Sequence, residues 1–199
     1  ASDAGAGRES LESMQREVRR MSVLVEDLLT LTRLDSPGER EPARERIDLD
    51  QTITEVVDEE SVRAPDQRVE VIADSPGQSV VLGDAEQLRR VILNLANNAL
   101  AHAPGGTHTW RTRVEGGDVV VTLSDQGPGI PREALGRVFD RFFRASTERR
   151  SNGSGLGLAI VRSVVEAHGG RIEATNDAGG ATLTARLPLA PTSVGGPAA

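Results

Sequence analysis

The sequence predicts an α+β fold: a two-layer α/β sandwich, whose mixed sheet is covered by helices on one face, preceded by one long bundle-forming helix. Two observations carry this prediction. Apolar residues recur with a 3-4-3-4-3 spacing between Leu11 and Leu28, which is typical of a coiled coil or four-helix bundle. After Pro37 and Gly38, strand and helix patterns mix without strict alternation, which favours one sheet with helices on one face.

The first helix is predicted over residues 9–35, and its apolar positions are Leu11, Met14, Val18, Met21, Val25 and Leu28. An ordinary amphipathic core helix is the alternative interpretation. Ahead of it, residues 1–8 have the composition of a cloning remnant or a linker. Residues 36–46 form a charged linker that opens with Ser-Pro-Gly, a combination that ends helices.

Residues 47–189 form the predicted α/β domain, and the tail 190–199, rich in Pro, Gly and Ala, is expected to be disordered. Within the domain, helical periodicity, strand alternation and turn residues predict the elements in order. They are a strand at 47–49, a helix at 50–60, strands at 68–72 and 80–82, a helix at 84–101, a hairpin of strands at 108–115 and 118–124, a short helix at 132–138, a helix at 156–168, and strands at 171–176 and 182–188.

Composition excludes several classes of function. The chain has 30 acidic and 23 basic residues, a net charge of −7 and no long basic run, so we expect no nucleic-acid partner. It has no Cys and three scattered His, which excludes a disulfide scaffold and a thiolate metal site. No apolar stretch approaches the roughly 20 residues of a membrane helix, and we find no secretory signal. We therefore expect this chain to be soluble and cytoplasmic.

The predicted helix at 84–101 carries two asparagines on one face. Asn94 and Asn98 are four residues apart, so their side chains lie one turn from each other. Because Asn is a mediocre helix former, two on one face call for a reason. One amide oxygen is suited to ligate Mg²⁺ and the other to contact a nucleotide or order water. A structural hydrogen-bonding role is the alternative.

Asp125 ends a strand that has the pattern of a buried one. Gly127 and Gly129 follow it and permit tight backbone turns. A carboxylate held at the floor of a pocket is suited to accept a hydrogen bond from an exocyclic amine such as that of adenine. A capped turn is the alternative interpretation.

Two further segments point to an anion site. All three Phe lie within FDRFFRAS at 139–146, followed by Arg149 and Arg150, which are suited to close over a bound anion. Gly153, Gly155 and Gly157 stand directly before an apolar helix, whose first N–H groups and dipole favour phosphate. A flexible turn in front of a helix is the alternative for the glycines.

Taken in order, these segments resemble the sensor histidine kinases of bacterial two-component systems. NLANNA resembles their N box, DQGPGI their G1 box, FDRFFR their F box and GSGLGLAIV their G2 box, while GGATLTARLP resembles the last glycine box. VVEAHGGRI matches the usual helix exit and implies a structural role for His168. VLVEDLLTLTRLD resembles the second helix of the dimerisation and phosphotransfer hairpin, so the resemblance extends over residues 9–189.

The resemblance implies an ATP-binding domain of the kind shared with gyrase and MutL, with Asn98 as the Mg²⁺ ligand and Asp125 as the residue that recognises adenine. Gly153 to Gly157 would be the hinge and phosphate-facing end of an ATP lid. The implied nucleotide-binding residues are Asn94, Asn98, His102, Asp125, Gly127, Gly129, Ile130, Arg144, Ser154, Gly155, Leu156, Gly157, Leu158 and Thr182. The implied cofactors are ATP and Mg²⁺.

The implied reaction transfers the ATP γ-phosphoryl group to a His and then to an Asp of a response-regulator receiver domain. The implied full-length protein is a homodimer through its hairpin helices, in a bacterial plasma membrane. The box that carries the phosphoacceptor His is absent, so that His lies upstream of Ser2, on another chain, or nowhere; a truncated fragment and a split kinase both fit. Ala101 stands where Lys or Arg is frequent, and His102 where an aromatic residue is frequent.

Two other functions remain open. A gyrase- or MutL-type ATPase carries a water-activating Glu one turn before the Mg²⁺ Asn, and Asn94 stands there instead, which favours phosphotransfer over hydrolysis. A nucleotide-binding module without kinase activity of its own is the other alternative, because this chain lacks the acceptor.

Overall fold

The computed structural model describes residues 14, 15, 17, 18, 21–32, 44–144, 154–177 and 179–191. Several predictions lie outside these residues. They are the segment 1–8, Leu11, the end of the first helix, the linker up to residue 43, Arg149, Arg150, Gly153 and the tail from 192. The chain divides into two units, Ala1–Pro37 and Gly38–Ala199.

In the first unit, residues 21–32 are helical, as are 14, 15, 17 and 18, and we call 21–32 helix α1. Three apolar positions predicted for the first helix are exposed: Met14, which precedes α1, is 63% exposed, and within α1 Met21 is 60% and Leu28 44% exposed. An apolar face that meets water is unfavourable and indicates a surface for association. Among the described residues, no helix combines the length and the apolar character needed to cross a membrane.

The second unit begins at Gly38 and contains the remaining elements, whose bounds lie close to those predicted. They are β1 (Glu45–Asp48), α2 (Leu49–Arg63), β2 (Arg68–Ala73), β3 (Val80–Gly83), α3 (Ala85–His102), β4 (Thr107–Glu115), β5 (Asp118–Asp125), α4 (Gly157–Ala167), β6 (Arg171–Asp177) and β7 (Gly180–Pro188). Helices α2 and α3 start at the side-chain caps Asp48 and Asp84, each of which accepts hydrogen bonds from first-turn N–H groups.

The principal sheet has the strand order β2-β4-β5-β7-β6, in which β2 pairs with β4 in parallel and the other pairs are antiparallel. Trp110, Leu123 and Leu183 lie side by side on one face and are at most 4% exposed. On the other face, Arg111, Thr122 and Thr184 take the alternating positions. This alternation explains why helices cover only the apolar face. The predicted two-layer α/β sandwich is therefore confirmed.

Three details correct the sequence prediction. The first is a second sheet of two antiparallel strands, β1 and β3, where a single sheet was expected. Next, residues 132–139 form consecutive turns with i→i−3 hydrogen bonds, such as Arg137 N–H to Ala134 O, in place of a helix. Gly136 lies in this segment and disfavours a helix. The predicted disordered tail also begins too early, because Ala190 is buried and its N–H donates to Val80 O.

Helices α3 and α4 are tied together through His168, at the C-terminal end of α4. His168 Nε2 accepts from the Asp84 N–H over 3.1 Å, so Nδ1 carries the proton and donates to Val164 O over 2.8 Å. A Cβ added to Gly83 would lie 2.5 Å from the ring, so only glycine fits beside it. The start of α3 is therefore held against the end of α4.

Candidate nucleotide site

Helix α3 presents Asn94 and Asn98 on one flank of its core stripe. Leu88, Ile92 and Leu95 are buried at 1–2% exposure, whereas Asn94 and Asn98 are half-buried. Asn94 Nδ2 is buried and has no hydrogen-bond partner among the described residues. A buried amide donor without a partner is costly, so this atom indicates a missing acceptor.

Helix α4 begins next to Asn94. A Cβ placed on Gly157 would lie 3.7 Å from Asn94 Oδ1, so the amide faces the first residue of α4. Leu156 precedes the helix, is fully buried, and provides no side-chain cap, while the Ser154 hydroxyl accepts from the Leu156 N–H over 3.2 Å. The first N–H groups of an uncapped helix attract anions. The structure thus brings Asn94, Ser154, Leu156 and Gly157 together.

Asp125 is held by backbone at the end of β5. Its Oδ1 accepts from the Gly127 N–H over 2.8 Å and from the Ala181 N–H over 3.3 Å, and the residue is 8% exposed. Within the described part of the chain, Oδ2 makes no hydrogen bond. The carboxylate is therefore fixed through one oxygen and keeps the other for a donor from outside.

Glycines close tightly around Asp125. A Cβ on Gly127 would lie 2.8 Å from Asp125 Oδ1 and 3.1 Å from the His102 carbonyl oxygen, and one on Gly180 would collide with the Asp125 carbonyl oxygen. Because backbone atoms cannot move aside as a flexible side chain does, position 180 requires glycine, and position 127 leaves little room for a side chain. The end of α3, the end of β5 and the start of β7 therefore meet at this carboxylate.

Gly129 and Ile130 are held by a residue that the sequence analysis missed. Gly129 has a φ of +74°, which favours glycine, and Asn176 on β6 bonds the backbone of Ile130 twice. Local pattern carried no signal for this contact, since the two residues are 46 positions apart.

Gly155 joins the start of α4 to the phenylalanine segment. Its carbonyl oxygen accepts from the Phe142 N–H over 2.9 Å, and a Cβ would lie 2.9 Å from Phe143 O. Gly155 has a φ of +71° and Phe142 a φ of +61°, which is rare for a residue with a side chain. The Arg137 guanidinium lies 4.8 Å from the centre of the Phe143 ring. Two predicted segments of the site are therefore in direct contact.

Thr182 is not brought to the cluster around Asp125. It lies on the sheet face away from the helices, where its hydroxyl is 2.9 Å from Ser124 Oγ and donates to Asp177 Oδ2 over 2.7 Å. Ala181 takes the position beside Asp125 instead. The alternation of Ala181, Thr182 and Leu183 was a signal for this orientation.

The remaining predicted residues occupy the borders. His102 is half-buried at the last turn of α3, and its carbonyl oxygen faces Gly127. Leu158 is half-buried in the first turn of α4, and Arg144, also half-buried, follows Phe143. Among the described residues, no group of three or more His, Cys, Asp or Glu is placed to hold a metal ion.

Asp177, beside Thr182, has a pKa below its ordinary value of 3.8. The hydrogen bond from the Thr182 hydroxyl contributes most to this shift, and the Gly179 N–H, 3.0 Å from Asp177 Oδ1, contributes next. Both bonds favour the ionised carboxylate at the turn between β6 and β7.

The family model for histidine kinase-, DNA gyrase B- and HSP90-like ATPases matches residues 83–191, more than half of the 199 residues. This chain belongs to that ATPase family. It is 35% identical to the sensor-like histidine kinase SenX3 of Mycolicibacterium smegmatis. The match extends over 195 residues, which cover 96% of this chain and 50% of SenX3. The predicted resemblance to histidine kinases is confirmed.

Two solved structures resemble this ATPase-family chain. The mycobacterial sensor histidine kinase MprB is 34% identical with a TM-score of 0.65, over 75% of this chain and 99% of that one. Full-length ShkA in complex with AMPPNP is 28% identical with a TM-score of 0.78, over 92% of this chain and 39% of that one. The chain spans about half or less of the length of the curated sensor histidine kinases that it matches.

Proposed function

We propose that this chain is the ATP-binding catalytic part of a sensor histidine kinase. It would transfer the ATP γ-phosphoryl group to a His outside residues 1–199, from which an Asp of a response regulator receives it. The observation that carries this proposal is the contact between Asn94 and Gly157. It sets an amide donor without a partner against an uncapped helix start, which together form a site for phosphate oxygens.

Asp125 supports adenine at the other end of the site. An ionised carboxylate accepts hydrogen bonds only, so its Oδ2 suits the exocyclic amine of adenine and repels the carbonyl oxygen that guanine presents at the same place. Gly127 and Gly129 leave room for a flat ring against the backbone, and Ile130 supplies apolar surface beside it. These roles follow from the match to the family's pattern.

Asn98 is the residue proposed to ligate Mg²⁺. The donor set fits, because Mg²⁺ binds few protein oxygens and takes its other ligands from phosphate and water. When bound, Mg²⁺ neutralises charge on the phosphate oxygens. The chain's own contribution is to orient the phosphates at the start of α4, which matters because phosphoryl transfer depends on positioning and charge stabilisation.

Kinase activity is favoured over gyrase-type hydrolysis by Asn94. A neutral amide cannot take a proton from water, whereas the water-activating Glu of the hydrolases stands at this position by resemblance. The curated relative named above, SenX3, is a sensor-like histidine kinase, which points the same way.

The acceptor and the partners are proposed from the same comparison. His108 and His168 are 3% and 7% exposed, and a ring nitrogen of each bonds a carbonyl oxygen, so neither is presented for phosphorylation. The exposed apolar face of α1 supports a homodimer formed by hairpin helices in the longer protein. We also propose that the partner is a receiver domain. The longer protein would be phosphorylated and would lie in a bacterial membrane.

A nucleotide-binding module without autonomous kinase activity is the second candidate, favoured by the burial of His108 and His168. It differs from the kinase in one respect, the transfer of phosphate to an acceptor supplied from outside.

Calorimetric titration of Mg²⁺-ATP into the chain tests the site. Asp125→Asn keeps Oδ1 for the Gly127 and Ala181 N–H groups but replaces the acceptor Oδ2 by a donor. We expect it to weaken binding roughly 10- to 150-fold while the protein stays folded. Asn98→Ala should weaken binding of Mg²⁺-ATP more than that of ATP in EDTA, and Asn97→Ala, an exposed neighbour, should change neither.

Absence of ATP binding by the wild-type chain would contradict the proposed function. Binding without ³²P transfer to a separately supplied His-bearing helical hairpin would favour the second candidate. Transfer to that hairpin would support the kinase.

A further inference from the structure

The carboxamide of Asn176 holds the backbone of Ile130 through both of its polar groups. Asn176 Oδ1 accepts from the Ile130 N–H over 2.8 Å, and Nδ2 donates to the Ile130 carbonyl oxygen over 2.6 Å. A side chain that bonds the donor and the acceptor of one residue restrains its position and its orientation together. A single hydrogen bond would leave the peptide free to rotate about it.

Gly129 is shaped to this contact. Its φ of +74° turns the loop towards β6, and a Cβ at this position would lie 3.0 Å from Asn176 Oδ1. Any side chain here would therefore push the carboxamide away from Ile130. Gly129 thus serves the Asn176 contact as well as the turn.

The same β6–β7 turn also supports Asp125, at the other end of the loop. The Ala181 N–H donates to Asp125 Oδ1, and Gly180 packs directly against the Asp125 backbone. The loop from 125 to 130 is therefore attached at both ends to one turn, through Asn176 at Ile130 and through Gly180 and Ala181 at Asp125.

We propose that Asn176 is a positioning residue for the adenine end of the nucleotide site. It acts through Ile130, by fixing the loop 125–130 in the form that receives the base. This inference rests on the proposed function, because the loop affects ATP binding only if Asp125 binds adenine.

The test compares the binding of ATP and ADP to the wild-type chain, Asn176→Ala and Asn176→Asp by calorimetry. Asn176→Ala removes both hydrogen bonds, and we expect it to weaken ATP and ADP by the same factor, roughly 10-fold, because the two nucleotides share the adenine. Exchange of the Ile130 amide hydrogen should become faster in this variant without any nucleotide. Thr175→Ala, on the opposite face of the same strand, is the matched control and should leave both affinities unchanged.

Asn176→Asp separates positioning from simple stability. A carboxylate still accepts from the Ile130 N–H, but its second oxygen meets the Ile130 carbonyl oxygen and repels it. Lowering the pH from 7.5 towards 5 increases the fraction of protonated carboxyl, which can donate to that carbonyl. We therefore expect the ratio of variant to wild-type Kd to fall towards 1 as the pH is lowered. This variant also provides the test if Asn176→Ala does not fold.

The outcomes are distinct. If the wild-type chain binds neither ATP nor ADP, the proposed function fails and the role of Asn176 fails with it. If the wild type binds and folded Asn176→Ala, or Asn176→Asp in its place, keeps both affinities within twofold at pH 7.5, the positioning role alone is overturned. A loss confined to ATP would also overturn it, because it would place the effect at the γ-phosphate.

Discussion

The backbone N–H of Phe142 donates to the carbonyl oxygen of Gly155 over 2.9 Å, which joins the phenylalanine segment to the start of α4. Both residues have positive φ, +61° for Phe142 and +71° for Gly155. The contact therefore depends on backbone shapes that most residues avoid. Substitution of glycines at the candidate site therefore tests whether these close backbone contacts are needed for stability and for ATP binding.

Gly155→Ala should be destabilising. The added Cβ would lie 2.9 Å from Phe143 O and 3.0 Å from the Phe142 carbonyl carbon, at a φ that costs an L residue about 1–2 kcal/mol. We expect the melting temperature to fall by roughly 4 °C or more and ATP binding to weaken. Differential scanning calorimetry measures the first effect, and an unchanged melting temperature would contradict the Phe142 contact.

Gly157→Ala should behave differently. Its Cβ would lie 3.7 Å from Asn94 Oδ1, an ordinary contact, and Ala favours a helix by up to about 1 kcal/mol over Gly. We expect the melting temperature to stay the same or rise, while ATP affinity falls about 10-fold because the methyl group occupies the space between Asn94 and the helix start. Full ATP affinity in this variant would argue against phosphate at that place.

Gly180→Ala should destabilise the domain by about 3 kcal/mol, because its Cβ would collide with the Asp125 carbonyl oxygen and lie 2.8 Å from the Gly127 nitrogen. Urea denaturation of the variant measures this loss. Gly179→Ala is the matched control, since its nearest neighbour would be Asp177 Oδ1 at 3.7 Å. Equal stability of the two variants would contradict this prediction, because it would show that the backbone at the start of β7 shifts to accommodate the added methyl group.

Asp177 should make stability depend weakly on pH. Its folded pKa is lowered, chiefly by the Thr182 hydroxyl and then by the Gly179 N–H, so its contribution is present above pH 3.8 and lost as the pH falls through the folded pKa. The group is exposed, so we expect less than about 1 kcal/mol. Asp177→Asn should melt slightly below wild type at pH 7, and the difference should shrink below pH 3.8.

Much of the fold was predictable because its patterns are local. The alternation in β5 and β7 and the apolar stripe of α3 specify a sheet with one apolar face, which is what the structure contains. The pairing of β1 with β3 was not predictable from local pattern. Both strands are only four residues long, and the two are far apart in the sequence.

The residue types of the candidate site could be proposed from the sequence, whereas the residues that support them in the fold could not. Asn94, Asp125 and the glycines stand in ordered segments with a known resemblance. The sequence around Asn176 does not indicate its contact with Ile130, because only the tertiary fold brings the two residues together. Thr182 was assigned from its segment alone, although its strand position turns it to the other face.

The bond from Asp84 to His168 joins residues 84 positions apart. The N-cap residue of α3 therefore donates its N–H to a residue that a ribosome adds 84 positions later. A nascent chain that ends before His168 contains both asparagines and Asp125 but lacks this hydrogen bond.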